Sequence, residues 1–251
     1  MAALPELCAY LSEYLSIRTV VDYPQAHNGL QLENSGEVRR IAAAVDACEP
    51  VLQEAAARGA DFLLVHHGLY WGSIPLVGAM YRKVRCALQH DIAVYSAHLP
   101  LDVHPEVGNN VLLARALGLT QLEPFLSLKG QPTGLAGRWD LGDRTALVDQ
   151  LEQILGGRVH ICPGGTERVQ RVGVVTGGAG SEVARAASEG VDTFITGEGP
   201  HWSYTLAEEL GVNLLYGGHY ATETFGVKAL AAHLGGRFGV PWEFIDHPTG
   251  L

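Results

Sequence analysis

Leu63-Leu64-Val65-His66-His67-Gly68 is the stretch that decides the fold. Three apolar residues run straight into two adjacent imidazoles and a glycine. A short apolar run without polar alternation is the pattern of a strand buried on both faces, as in a parallel sheet. Groups at the carboxyl end of such a strand lie where open α/β sheets bind ligands. The pair is therefore read as a site, and His66 and His67 as candidate metal ligands. Regular strand geometry points neighbouring side chains to opposite faces, so this reading needs the strand to bend at its end, with Gly68 helping.

The same rhythm extends on either side. Leu4, Leu7, Cys8, Leu11 and Leu15 recur at helical spacing, which predicts an opening amphipathic helix. Val20 to Asn34 is polar and turn-rich. Arg40 to Val45 is a short buried strand, and Pro50 to Arg58 is a helix opened by proline and closed by Gly59. After the histidine pair come a helix from Tyr81 to Gln89 and a strand from Ile92 to Ala97. That strand delivers His98-Leu99-Pro100-Leu101-Asp102, and a helix from Asn110 to Leu117 follows. Strands alternating with helices in this way predict βαβ units and largely parallel sheets with flanking helices. The middle is less regular. A strand at Leu135 to Trp139, a helix from Arg144 to Leu155 and a strand at Val159 to Cys162 are its clearest features.

From Arg171 the earlier pattern returns. At an offset of 131 positions Arg40 meets Arg171, Gly59 meets Gly190, Asp61 meets Asp192, Gly68 meets Gly199 and Trp71 meets Trp202. His67 falls on Glu198. At an offset of 121, His98 meets His219 and Asp102 meets Glu223. An internal duplication accounts for this order. It predicts two similar α/β halves, residues 1–122 and 123–251, with a metal site in the cleft between them.

Composition narrows the function. A chain of 251 residues with 47% hydrophobic and only 18% charged residues has material for a core and is not expected to be disordered. A net charge of −10 argues against nucleic acid and anionic membranes as partners. No apolar run reaches the ~18 residues of a membrane span, and the first residues lack a basic region before an apolar stretch. The expected location is the cytoplasm. Four scattered cysteines (Cys8, Cys48, Cys86, Cys162) do not suggest a disulfide framework.

The polar residues delivered at strand ends are His66, His67, His98, Asp102, Glu198, His219 and Glu223. Imidazole and carboxylate together suit zinc, iron, manganese, cobalt or nickel. Packed together without a cation, such groups are costly, and a metal removes the penalty. Two carboxylates among three or four imidazoles suffice for two divalent ions. Taken singly, Asp102 also suits a turn and Glu223 the first turn of a helix. Thr176-Gly177-Gly178-Ala179-Gly180-Ser181 is read as a tight strand-to-helix turn with Ser181 as helix cap. A phosphate cradle is the competing reading.

These motifs, His66-His67-Gly68, His98-Leu99-Pro100-Leu101-Asp102, Thr196-Gly197-Glu198 and Gly217-Gly218-His219-Tyr220 with Glu223, resemble the Nif-three-like family. Asn28-Gly29-Leu30-Gln31 also looks like that family's N-terminal motif. Its members are often labelled GTP cyclohydrolase type 2 homologues. The resemblance covers nearly the whole chain and implies a dinuclear metal site. Carried over by motif, the ligands are His66, His67, Asp102, His219 and Glu223, with Asp102 or Glu223 as a bridge. It also implies a ring-shaped homohexamer. Some members carry a domain inserted between the halves, for which this chain's middle segment is too short. The implied function is a metal-dependent hydrolase working through a metal-activated water, on a GTP cyclohydrolase-like nucleotide substrate or a phosphoester. Glu198 and His98 would then carry protons. The alternative is a non-catalytic metal-binding ring scaffold or metallochaperone.

Overall fold

The computed structural model describes all 251 residues, and the chain forms two compact units. The first comprises Met1–Leu101 and Gly226–His247, the second Asp102–Phe225 and Pro248–Leu251. The expected halves, 1–122 and 123–251, run consecutively, whereas these units exchange C-terminal segments. The reason lies in strand pairing. Trp242–Phe244 adds to the first sheet, parallel to Ile41–Asp46, with Trp242 opposite Ile41.

In the first unit the sheet order is Trp242–Phe244, Ile41–Asp46, Phe62–His67, Ala93–Ser96, Gly29–Leu32. Every pairing is parallel except the last. Alternate residues of the two central strands point to opposite faces, and both sets are buried. Ala42, Leu63, Val65 and Val94 pack against Leu52, Ala55, Val84 and Ala87 of helices Glu49–Ala57 and Gly78–Gln89. Ile41, Ala43, Phe62 and Leu64 face the other way and are equally dry. This explains the unbroken apolar runs: with water excluded from both faces, no position favours a polar residue. Helix Leu4–Tyr14 buries Leu4, Leu7 and Leu11 as its spacing predicts, and its Tyr14 ring stacks on His233 of helix Thr224–Phe238 at 4.4 Å.

The second unit holds a six-stranded sheet in the order Thr120–Leu128, Gln131–Arg138, Arg171–Val174, Thr193–Thr196, Asn213–Tyr216, His160–Pro163. Only the three strands from Arg171–Val174 to Asn213–Tyr216 run parallel. The other pairings are antiparallel. The expectation of mostly parallel sheets thus holds for the first sheet and not for the second, because a hairpin and a single edge strand flank its parallel centre. The hairpin turns at Lys129 and Gly130, both at positive φ, as a tight two-residue loop requires. Helix Arg144–Leu155 follows its prediction: Asp143 accepts from the Ala146 amide at its start and Gly156 closes it at φ 71°. No helix is long and apolar enough to cross a membrane.

Candidate metal centre

In the first unit the strand Phe62–His67 carries both histidines to its last two positions. Their rings lie side by side, centroids 4.7 Å apart. His66 is fully buried and His67 partly so. Gly68 permits this by its lack of a side chain: a Cβ there would collide with the Gln31 amide and with Ser96. Gln31 in turn accepts the Leu69 amide at 2.6 Å, which fixes the chain as it leaves the strand.

His98, from the end of the neighbouring strand, joins the pair. Its ring lies 5.1 Å from His66 and 5.7 Å from His67, and one ligand nitrogen from each of the three falls within 4.8 Å of the others. Each ring is oriented through Nδ1. His66 donates to the Ala97 carbonyl at 2.8 Å, His67 to Asp46 Oδ1 at 2.9 Å and His98 to Asp22 Oδ1 at 2.9 Å. With the proton on Nδ1, a neutral ring carries its lone pair on Nε2. A second-sphere oxygen on one nitrogen and a lone pair on the other is the arrangement of ligating histidines. Asp22 also accepts from Asn28 Nδ2 at 2.7 Å and from the Leu99 amide at 3.1 Å. Burial alone would raise its pKa, but the hydrogen bond and charge of His98 outweigh that, and Asp22 lies below the usual carboxylate range.

The second unit carries the carboxylates. Asp102, 5% exposed, accepts from Asn109 Nδ2 at 2.8 Å and from Thr176 Oγ1 at 3.2 Å, both on Oδ1. Asn110 donates to the Asp102 carbonyl and accepts the Thr176 amide, tying the start of helix Asn109–Ala116 to the Gly-rich turn. His219 follows the strand Asn213–Tyr216. It donates from Nδ1 to Glu198 Oε1 at 2.8 Å, and its Nε2 lies 3.2 Å from Glu223 Oε2. Glu223 is 2% exposed. The hydrogen bond to Glu223, and then that to Glu198, push the His219 pKa up to about 9 against its burial. The two carboxylates thus favour positive charge at His219.

The turn from Thr176 to Ser181 supports this carboxylate. A Cβ on Gly177, which has φ +72°, would strike Glu223 Oε1. Four of the six amides of the turn are bonded within the protein. Thr176 N bonds to Asn110 Oδ1, Gly177 N to Thr222 Oγ1, Ala179 N to Thr196 Oγ1 and Gly180 N to the Glu198 carbonyl. The tight-turn reading therefore stands over the phosphate cradle. Ser181 does not cap a helix; it lies inside the single 3₁₀ turn Gly180–Glu182, which no side chain caps.

Within each unit the residues expected to carry chemistry are thus gathered: His66, His67 and His98 in the first, Asp102, Glu198, His219 and Glu223 in the second. Both groups have donors and an electrostatic setting that fit divalent cations. The supporting residues Asp22, Asp46, Asn109, Asn110 and Thr176 were not singled out from the sequence. Asp46 alone had a signal, since aligning the starts of the two apolar runs, Ile41 with Phe62, sets it opposite His67.

The family model described as Duf34/NIF3 (NGG1p interacting factor 3) matches residues 2–249. A Deinococcus radiodurans protein named GTP cyclohydrolase 1 type 2 homolog is 46% identical over 249 residues, covering 98% of this chain and 94% of that one. A Pyrococcus abyssi protein of the same name is 44% identical, covering 98% of each. Among solved structures, protein ybgI, described as of unknown function, superposes with a TM-score of 0.93 at 36% identity over the whole of both chains. The protein TTHA1606 from Thermus thermophilus gives 0.87 at 43%, again over both whole chains.

Proposed function

The chain belongs to the Duf34/NIF3 family, and from that premise we propose that it is a dinuclear metal-dependent hydrolase. His66, His67, Asp102, His219 and Glu223 would hold the two ions. The observation that carries the reading is the set of Nδ1 hydrogen bonds to Ala97, Asp46 and Glu198, which hold His66, His67 and His219 in a ligating orientation. Asp102 and Glu223 add to it, because carboxylates at 5% and 2% exposure are costly without a cation.

Two divalent ions would supply Lewis acidity and a water acidified into the neutral range. The chain's own residues do the rest. Asn109 and Thr176 aim the Asp102 carboxylate, and Gly177 leaves room for that of Glu223. Glu198, half-exposed beside His219 Nδ1, sets that ring's tautomer and takes or returns a proton. His98, backed by the Asp22 carboxylate, moves a second proton through Nε2. The substrate is a nucleotide or other phosphoester, the first favoured by the names of the relatives.

The same reading takes the two units as copies of one ancestral half. Asp61 accepts from the amides of Arg39 and Arg40, and Asp192, 131 positions later, accepts from those of Gln170 and Arg171. Gly59 and Gly190 both turn the chain at positive φ. The Ala97 amide bonds to Val65 and the Gly217 amide to Thr196. Common descent explains why such particular bonds recur in the same order, at a spacing of 131 positions up to Thr196 and 120 from Ala97 to Gly217.

The test is metal analysis of purified protein, followed by a screen of metal-loaded wild type and Glu223→Gln against nucleotides and phosphoesters. Turnover in wild type that falls at least ~100-fold in the variant supports the reading, a loss of the size usual for a group in direct contact with the reaction. Equal rates in both remove catalysis from this site. Full metal with no turnover favours the metallochaperone or scaffold, and metal-free wild type removes both.

A further inference from the structure

We propose that Trp71 and Tyr23 form an aromatic wall beside the His66, His67 and His98 imidazoles, and that the molecule taken there carries a planar heteroaromatic ring. The inference rests on the reading of those imidazoles as part of the reaction site, and it names the class of substrate.

Trp71 is 37% exposed and Tyr23 53%. Single exposed aromatics are ordinary on a protein surface. These two, from segments about fifty positions apart, meet at one imidazole. The Trp71 ring lies 5.0 Å from His98 and 6.0 Å from His67, and the Tyr23 ring 6.0 Å from His98. Trp139 shows the contrast of a structural tryptophan, at 1% exposure within an apolar cluster.

Orientation decides what the wall can do. The indole stands at 81° to the His98 ring and 55° to His67. This edge-on contact is an ordinary aromatic geometry, and a flat ligand stacked on the exposed part of the indole would lie beside the imidazoles. Offset stacking on an indole face is a favoured aromatic geometry, and it accepts any base because every base has a π-face. A phosphoester without a ring gains nothing from it.

The wall is also built in advance. Residues Ala26 and Trp71 pair as an antiparallel bridge, and the Gly72 amide bonds to the Gln25 carbonyl at 2.8 Å. The Tyr23 amide bonds to Asp22, whose carboxylate also holds His98, Asn28 and the Leu99 amide. One network therefore places Tyr23, Trp71 and His98 together, and a ligand need not order the loops on arrival.

The experiment separates ring from phosphate. Guanosine and inorganic triphosphate are each titrated into the full chain, in chelator-treated and in manganese-loaded form, with binding followed by equilibrium dialysis. Guanosine is expected to bind wild type in both forms. Trp71→Ala should weaken it roughly 5- to 150-fold, the range for loss of one base-stacking contact, and Trp71→Phe should restore most of it. Triphosphate should bind the metal-loaded Trp71→Ala variant as it binds wild type. Guanosine that does not bind wild type, or that binds a folded Trp71→Ala variant equally well, overturns the proposal. Because the readout is binding, a protein without turnover would sink the hydrolase and leave this result standing.

Discussion

Replacing Gly177 by alanine tests whether the Gly-rich turn exists to seat Glu223. Two costs add. At φ +72° an L-residue pays about 1–2 kcal/mol. The new Cβ also strikes Glu223 Oε1, and Glu223, at 2% exposure, cannot move without loosening its contact with His219. A weakened buried polar contact of that kind costs about 1–3 kcal/mol. The expected loss is therefore about 2–5 kcal/mol by these two contributions. Gly178 next to it is the control. Its Cβ would lie 3.6 Å from His219 and 3.8 Å from Glu198, in ordinary contact. Gly178→Ala should be neutral or stabilise by about 0.4–1 kcal/mol through the unfolded chain. Urea unfolding of metal-free wild type and both variants, followed by circular dichroism, measures the gap. Two variants within about 0.5 kcal/mol of each other, far less than either cost above, would refute the packing argument.

Two further outcomes follow from the same geometry. In metal-free protein His219 has a folded pKa of about 9 against 6.5 unperturbed. Its contribution to stability is therefore fully present below pH 6.5 and is lost as pH rises through about 9. The urea midpoint of wild type should fall between pH 7 and 10 relative to His219→Gln, and parallel curves would contradict the raised value. Asp46→Ala removes the acceptor that orients His67 and should weaken divalent metal binding about 10- to 100-fold, as loss of a second-sphere partner does. Chelator competition measures this, and unchanged affinity would take Asp46 out of the site.

Much of the fold was open to reading because the physics behind it is local. Residues 62–65 and 41–45 are apolar without interruption, and helix Arg144–Leu155 has an aspartate to start it and a glycine to stop it. The strands that escaped reading are the ones whose pairing is long-range or irregular. Thr120–Leu128 carries Pro124 and places Gln121 and Leu126 at positive φ, which breaks the two-residue alternation. Its turn uses Lys-Gly in place of the usual Asn-Gly. Gly29–Leu32 is polar at its edge, and Trp242–Phe244 is too short to show a period.

The sequence by itself determined the alternation of strands and helices in the first unit, the strand that ends in His66-His67, and the residue types suited to divalent metal, since each depends on neighbours along the backbone. Tertiary structure decided what surrounds them. Asp22 reaches His98 across 76 positions, and Thr176 reaches Asp102 across 74. No local pattern encodes such bonds, because they arise only when the fold brings loops and strand ends from distant parts of the chain together. Pairing of Trp242–Phe244 with Ile41–Asp46 likewise returned the C-terminal segment to the first unit. The histidine pair was legible as a pair. That every ring of the cluster it forms with His98 is turned by an oxygen on Nδ1 became visible only once the chain had folded.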